Sequence, residues 1–249
     1  MAAAAQSGHD KLTLLASPAL VSFGAWVEQL VAESAGKHGI GIVPVDAEDI
    51  GIPAVYGNDR LFIDLRLEND SDKARDQAIA ALTTAGYPMV TISIASREQL
   101  AQEFFYWEMA TAVAGAVLGI HPFDQPDVEA AKIQTKSLMA AYERDKVLPQ
   151  PPAVLMDGNF ALYGPIARNT ISLKNALSKL FGQIKPGDYF ALLAYMEMNE
   201  HHMALLQAMR TRVRDKHKVA TCLGFGPRFL HSTGQLYKGG ANSGLFLQI

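Results

Sequence analysis

Apolar and polar positions alternate along this chain in two rhythms. Lys11-Leu12-Thr13-Leu14-Leu15-Ala16 reads as a strand, and Ser17-Pro18 then offers an N-cap followed by proline at the first helical position. Leu20, Phe23, Val27, Leu30 and Val31 recur at helical spacing, and Gly36 is placed to stop that helix just after Glu33. Further on, Leu61 to Leu67 predicts a strand, about Ser71 to Ala85 a helix, and Met89 to Ile94 another strand. The same order returns with a strand over Asp188 to Tyr195, a helix from about Glu200 to Arg214 and a strand over Val219 to Leu223. Gly57-Asn58-Asp59 and Gly187-Asp188 are the turns that open the two units. The most apolar helix runs from around Phe104 to Ile120, and Gly244 to Ile249 is strand-like.

Strands alternating with helices of this length favour parallel pairing through right-handed crossovers. The expected fold class is therefore α/β, a layered, three-layer sandwich around a mainly parallel sheet. Lys146-Val147-Leu148-Pro149-Gln150-Pro151-Pro152-Ala153 is proline-dense, which makes 146–153 the best candidate for an exposed internal connection. The whole of 1–249 is still read as one functional portion, because the candidate chemistry lies on both sides of that connection.

Composition narrows the function classes. With 49% hydrophobic and 19% charged residues the chain can bury a substantial core. Its 22 lysines and arginines against 25 aspartates and glutamates leave a net charge of -3, so nothing global favours nucleic acid or an anionic membrane. An anionic substrate needs a local cationic site. The single cysteine, Cys222, excludes an intrachain disulfide and fits a reducing cytoplasm, and its apolar neighbours favour a buried thiol over a nucleophile. The first ten residues lack the cationic start and long apolar stretch of a secretory signal. Glu103 and Glu108 interrupt the 104–120 helix, which reads as buried rather than membrane-spanning.

The richest polar segment is Gln125-Pro126-Asp127-Val128-Glu129-Ala130-Ala131-Lys132. Asp124 is placed to cap a helix there and Pro126 suits its first turn. Gln125 and Lys132 are seven apart, so an amide and an ammonium fall along one stripe over two turns. Lys132 could equally be a solvated helix-face residue, with Glu129 and Lys136 at i,i+3 and i,i+4 spacing from it. Glu33, at the end of its helix, meets the negative end of the helix dipole, which raises a carboxylate's proton affinity. Without further context it reads as a solvated helix-end residue, and His231, beside Phe229 and Leu230, as a packed or capped one. Glu200-His201-His202 makes a poor metal site, since adjacent helical residues diverge by about 100 degrees and no second ligand cluster has the right spacing. Gly224-Phe225-Gly226-Pro227 lacks the pattern of a nicotinamide loop. The Arg210, Arg212, Arg214, Lys216, Lys218 run around a helix end reads most simply as a solvated, dipole-complementing surface.

Three segments carry a resemblance. Asp124-Gln125-Pro126-Asp127-Val128-Glu129-Ala130-Ala131-Lys132 resembles the lysine signature of the glucose-6-phosphate isomerase family. Glu33-Ser34-Ala35-Gly36-Lys37 resembles the segment bearing that family's catalytic glutamate, and Leu230-His231-Ser232-Thr233-Gly234-Gln235 its bacterial histidine signature. The wording from Gly226 to Leu236 is similar to the isomerase parts of transaldolase/glucose-6-phosphate isomerase fusion proteins. Here the order is Glu33, Lys132, His231, whereas ordinary family members run glutamate, histidine, lysine.

The resemblance implies a sugar-isomerase (SIS)-like fold and a cytoplasmic enzyme of glycolysis and gluconeogenesis that acts on a sugar phosphate without metal or cofactor. It implies Glu33 as the base that moves a proton through a cis-enediol, and His231 as the group that opens the sugar ring. Lys132 would stabilise developing negative oxygen, and Gln125 would bind a sugar carbonyl or hydroxyl. Because the family's histidine enters from the neighbouring subunit, a homodimer is implied. The family's phosphate loops and its arginine-bearing Gly-Gly-Arg segment have no counterpart in these 249 residues. The chain is thus expected to be the later portion of a longer isomerase that needs a phosphate-binding half. The competing expectation is a noncatalytic sugar-phosphate-binding or assembly module.

Overall fold

A computed structural model describes residues 1–70 and 72–249, with the side chain of Ala167 outside the description. The chain divides into two compact units, 1–128 together with 186–249, and 129–185. The first begins with the short helix α1 (Ala2–Gln6) and continues with β1 (Lys11–Ala16), α2 (Val21–Ala35), β2 (Val43–Val45), β3 (Arg60–Leu67), α3 (Lys73–Thr84), β4 (Met89–Ile94) and α4 (Leu100–Leu118). Helix α5 (Pro126–Asp145) starts in this unit and runs into the second, which adds the hairpin β5 (Leu155–Asp157) and β6 (Phe160–Leu162) and helix α6 (Leu173–Phe181). The first unit resumes with β7 (Tyr189–Ala194), α7 (Glu200–His217), β8 (Ala220–Phe225), α8 (Phe229–Ser232), α9 (Gly234–Gly239) and β9 (Gly244–Gln248).

Among the described residues, the seven strands of the larger unit pair in parallel, in the orders β2-β1-β3-β4 and β8-β7-β9. The central strands β1 and β7 are buried along nearly their whole length, polar Lys11 and Thr13 of β1 included, as strands covered on both faces are. At the edge, β4 keeps polar Thr91 and Ser93 exposed. On one face Leu12, Leu14, Leu61 and Ile63 pack with Phe23, Val27 and Val31 of α2 and Trp107 and Ala114 of α4. On the other, Leu15 and Phe62 pack with Ile79 and Leu82 of α3. Helices on both faces of a mainly parallel sheet make the three-layer α/β sandwich expected from the pattern of elements.

The two ladders meet where β2 lies beside β8. Ala32, Val43, Val45, Ala191, Ala220, Cys222, Phe229 and Leu236 form one core across that junction, and Cys222 Sγ lies 3.6 Å from the Pro44 carbonyl. Burial pushes the Cys222 thiol up to about 12, so it packs and does not react. Beneath the junction Glu48 accepts hydrogen bonds from the Thr221 hydroxyl at 2.6 Å, the Thr221 amide at 3.1 Å and Arg60 at 3.2 Å. Arg210 and Arg214, expected from the sequence to lie on a solvated helix end, are instead buried, and Arg210 reaches across to the carbonyls of Asp46 at 3.1 Å and Ala47 at 3.3 Å.

Several expected signals act differently from their sequence reading. Ser17 does not cap α2, because a 3-10 turn over Pro18–Leu20 intervenes and its hydroxyl accepts the Leu67 amide at 3.1 Å instead. Ser71, where the α3 helix was expected to open, lies outside the described residues; α3 begins at Lys73 with Asp72 accepting from the amides of Ala74 and Arg75. Gly36 does end α2, without a left-handed backbone. A side chain there would place a Cβ 2.4 Å from the Leu236 Cα, so glycine is required by the close approach of α9.

Candidate functional site

Glu33 lies half-buried in the last turn of α2. One helical turn earlier, Gln29 directs its amide to Glu33 Oε2 at 3.4 Å, as the i,i+4 spacing dictates. The amide of Gln125 donates to the other oxygen, Oε1. Two side-chain amides thus hold one carboxylate from either side, and both are N–H donors to the ionised form.

Gln125 stands just ahead of α5, which begins at Pro126, and does not extend the stripe of that helix. Asp124 does not cap α5 either. Its side chain and carbonyl are occupied by Lys37, a fully buried lysine whose ammonium contacts Asp124 Oδ1 at 3.0 Å, the His121 carbonyl at 2.5 Å and the Asp124 carbonyl. The hydrogen bond from Lys37 holds the Asp124 carboxyl below the usual carboxylate range. The loop itself is launched by Gly119, whose left-handed backbone terminates α4.

The third motif segment closes on the same place. Gln235 of α9 is fully buried; its amide donates to the Gly36 carbonyl at 2.9 Å and to Asp127 Oδ2 at 2.6 Å, and its oxygen accepts the Asp127 amide at 3.1 Å. Gly39 donates to the Gly239 carbonyl at 2.8 Å. The end of α2, the 119–127 segment and α9 are therefore knit together by one small set of polar contacts.

Of the four residues singled out from the sequence, Glu33 and Gln125 are brought into contact. His231 is exposed on α8, and among the described residues its ring makes no hydrogen bond to either of them. Lys132 is exposed on the part of α5 that belongs to the second unit, where it pairs with Glu129 across one turn. Gln29 has no place in the sequence reading, and Lys37 and Gln235 enter it only as members of motif segments, without a role. Gln29 was detectable by its spacing of four from Glu33, whereas the roles of Lys37 and Gln235 depend on distant backbone groups. His202 contacts the Glu197 carbonyl at 2.7 Å, and among the described residues no group of three or more histidine, cysteine, aspartate or glutamate side chains is arranged to hold a metal ion. No helix among them is long and apolar enough to cross a membrane.

No protein-family model matches the chain. Comparison with curated proteins finds glucose-6-phosphate isomerases: that of Rubrobacter xylanophilus is 30% identical over 176 residues, covering 55% of this chain and 40% of its own. This chain resembles the glucose-6-phosphate isomerases. Those of Lactobacillus delbrueckii subsp. bulgaricus and Staphylococcus haemolyticus are 28% and 30% identical over 151 residues, 46% of this chain and 34% of each relative. The similarity to glucose-6-phosphate isomerase thus spans well under half the length of these curated relatives.

Proposed function

We propose that this chain carries the proton-transfer residues of an isomerase that interconverts glucose 6-phosphate and fructose 6-phosphate, and that it is the later portion of such an enzyme. The observation that carries the reading is the contact of Glu33 with Gln125, which joins two motif segments 92 positions apart. Aldose-ketose interconversion moves one proton between adjacent carbons, and a carboxylate that can both accept and return it suffices. On this reading Glu33 is that base, and the amides of Gln29 and Gln125 fix its direction and bind the sugar's oxygens. Lys132 balances charge on the enediol oxygen. His231 transfers the proton that opens the ring, entering from a second copy of the chain in a homodimer.

The step is internally balanced and calls for no cofactor. The protein on this reading is a cytoplasmic one, and its longer form includes a phosphate-binding half and a transaldolase part. The partial coverage of the relatives favours one alternative, a noncatalytic module that binds sugar phosphate or assembles with the missing half. Loss of phosphate anchoring removes binding energy that sets the sugar carbons against the base, so turnover by the isolated chain is expected to be slow.

The test is exchange of the C2 proton of glucose 6-phosphate in deuterated buffer, followed by NMR over hours. Slow exchange that disappears in Glu33→Gln, with sugar-phosphate binding and fold retained, is the expected result. Exchange that persists undiminished in Glu33→Gln shows the base to be another residue. Saturable binding without any exchange selects the noncatalytic module.

A further inference from the structure

We propose that Lys37 is a positioning residue: its buried ammonium draws the 121–124 segment against the end of α2 and so sets the Gln125 amide on the Glu33 carboxylate. The inference rests on the reading of Glu33 as the base. Lysine is almost never fully buried unless paired, and Lys37 is 0% exposed. It has three donors, and the three contacting oxygens are the His121 carbonyl, the Asp124 carbonyl and Asp124 Oδ1. With its donors so engaged and no exposed surface, it does not itself face a substrate.

Two of those acceptors are backbone carbonyls, so Lys37 fixes the course of the chain and not only one side chain. Asp124 is half exposed, so solvent weakens the purely ionic part of the contact. Gln125 is the very next residue. Beyond it, Gln235 holds Asp127 through both its amide and its carboxylate while gripping the Gly36 carbonyl. Gln125 is thus suspended between two tethers, one on either side, and both lead back to consecutive residues, Gly36 and Lys37, at the end of α2. A displacement of about 1 Å in such a group costs on the order of 100-fold in rate.

The experiment replaces Lys37 with methionine, which keeps length and apolar bulk and removes the donors. NMR follows amide exchange over 121–127 and the Gln125 side-chain amide, with Glu33→Ala as the reference for a Gln125 released from its carboxylate. In Lys37→Met the amides of β1, β3 and β7 are expected to stay protected, while exchange over 121–127 rises about tenfold or more. The Gln125 amide moves to its Glu33→Ala position, and C2 exchange of glucose 6-phosphate slows by about 100-fold with KM changed less than about threefold. An unmoved Gln125 amide and unchanged protection overturn the proposal, as does lost turnover with the segment still held. Should Lys37→Met not fold, Asp124→Gly loosens the same segment and is expected to move the same amides, with an unmoved Gln125 again overturning the idea. These amide measurements need no substrate, so absence of C2 exchange in the unaltered chain counts against the proposed function and leaves them decisive for Lys37.

Discussion

Glu48 and Glu28 are both carboxylates withdrawn from water, yet their proton affinities end on opposite sides of the ordinary glutamate value. Around Glu48, desolvation pushes the carboxyl up, but Arg60, Arg210, the Thr221 hydroxyl and Arg214 together bring it below the ordinary glutamate value. Around Glu28, desolvation and the facing Asp46 both push upward, and Arg228 and Arg210 offset too little, leaving it at about 7. Asp46 is carried up to about 6, chiefly by its own burial. The difference lies in donors at bonding distance. Glu48 accepts from Thr221 at 2.6 Å, whereas Arg228, itself half exposed, stands 3.8 Å from Glu28. Nominal charge nearby does not compensate a buried carboxylate; aligned and water-excluded donors do.

The largest effect should come from breaking the compensated side. Glu48→Gln leaves Arg60 and Arg214 without their carboxylate and is expected to cost roughly 3–5 kcal/mol, read from urea unfolding at pH 7. Because the folded value of Glu48 is depressed, its contribution is present above the unfolded value near 4.5 and fades as pH falls through the folded one. The gap between variant and parent should therefore narrow in acid, and a loss below about 1 kcal/mol at pH 7 would show the cluster to be uncompensated after all.

Glu28→Gln probes the opposite side. The raised folded value makes the parent lose stability as pH rises from about 4.5 to about 7, with Asp46 adding its own loss from 3.8 to about 6. The glutamine variant lacks the Glu28 part, so between pH 4.5 and pH 8 it should gain roughly 2–3 kcal/mol relative to the parent. Melting midpoints across that range decide the matter, and parallel profiles would count against a proton held at Glu28. The smallest effect on stability is expected at Lys132, whose exposed pair with Glu129 has neither burial nor extra donors. Lys132→Ala should leave the melting midpoint unchanged, so a fall in C2 exchange of about tenfold would report on chemistry alone.

The sheet was legible because its strands carry apolar residues between clear turn signals; the central β1 and the edge strand β4 coincide with the stretches 11–16 and 89–94 read from the pattern. Strand β2 was not, since Val43-Pro44-Val45 is short and carries a proline. In the fold the Pro44 carbonyl points to β8, where Cys222 meets it, so the missing N–H falls outside the β1–β2 ladder. The motif segments drew attention to Glu33 and Gln125, which the fold brings into contact, but helical spacing placed Gln125 inside α5, which begins one residue later. The engagement of Asp124 by Lys37 depends on carbonyls 84 and 87 positions away, which no local rule could supply.

Gly36 and Leu236 lie so close that neither segment can be altered as if alone. A chimera that took 29–41 from one homologue and 229–240 from another would have to match the bulk at both positions. An alanine at 36 would demand a retreat of the α9 backbone, and with it of Gln235, which grips the Gly36 carbonyl. Gly36 and Gln235, 199 positions apart, thus form one packing unit, and a recombinant that takes one segment alone must still match the bulk of the other.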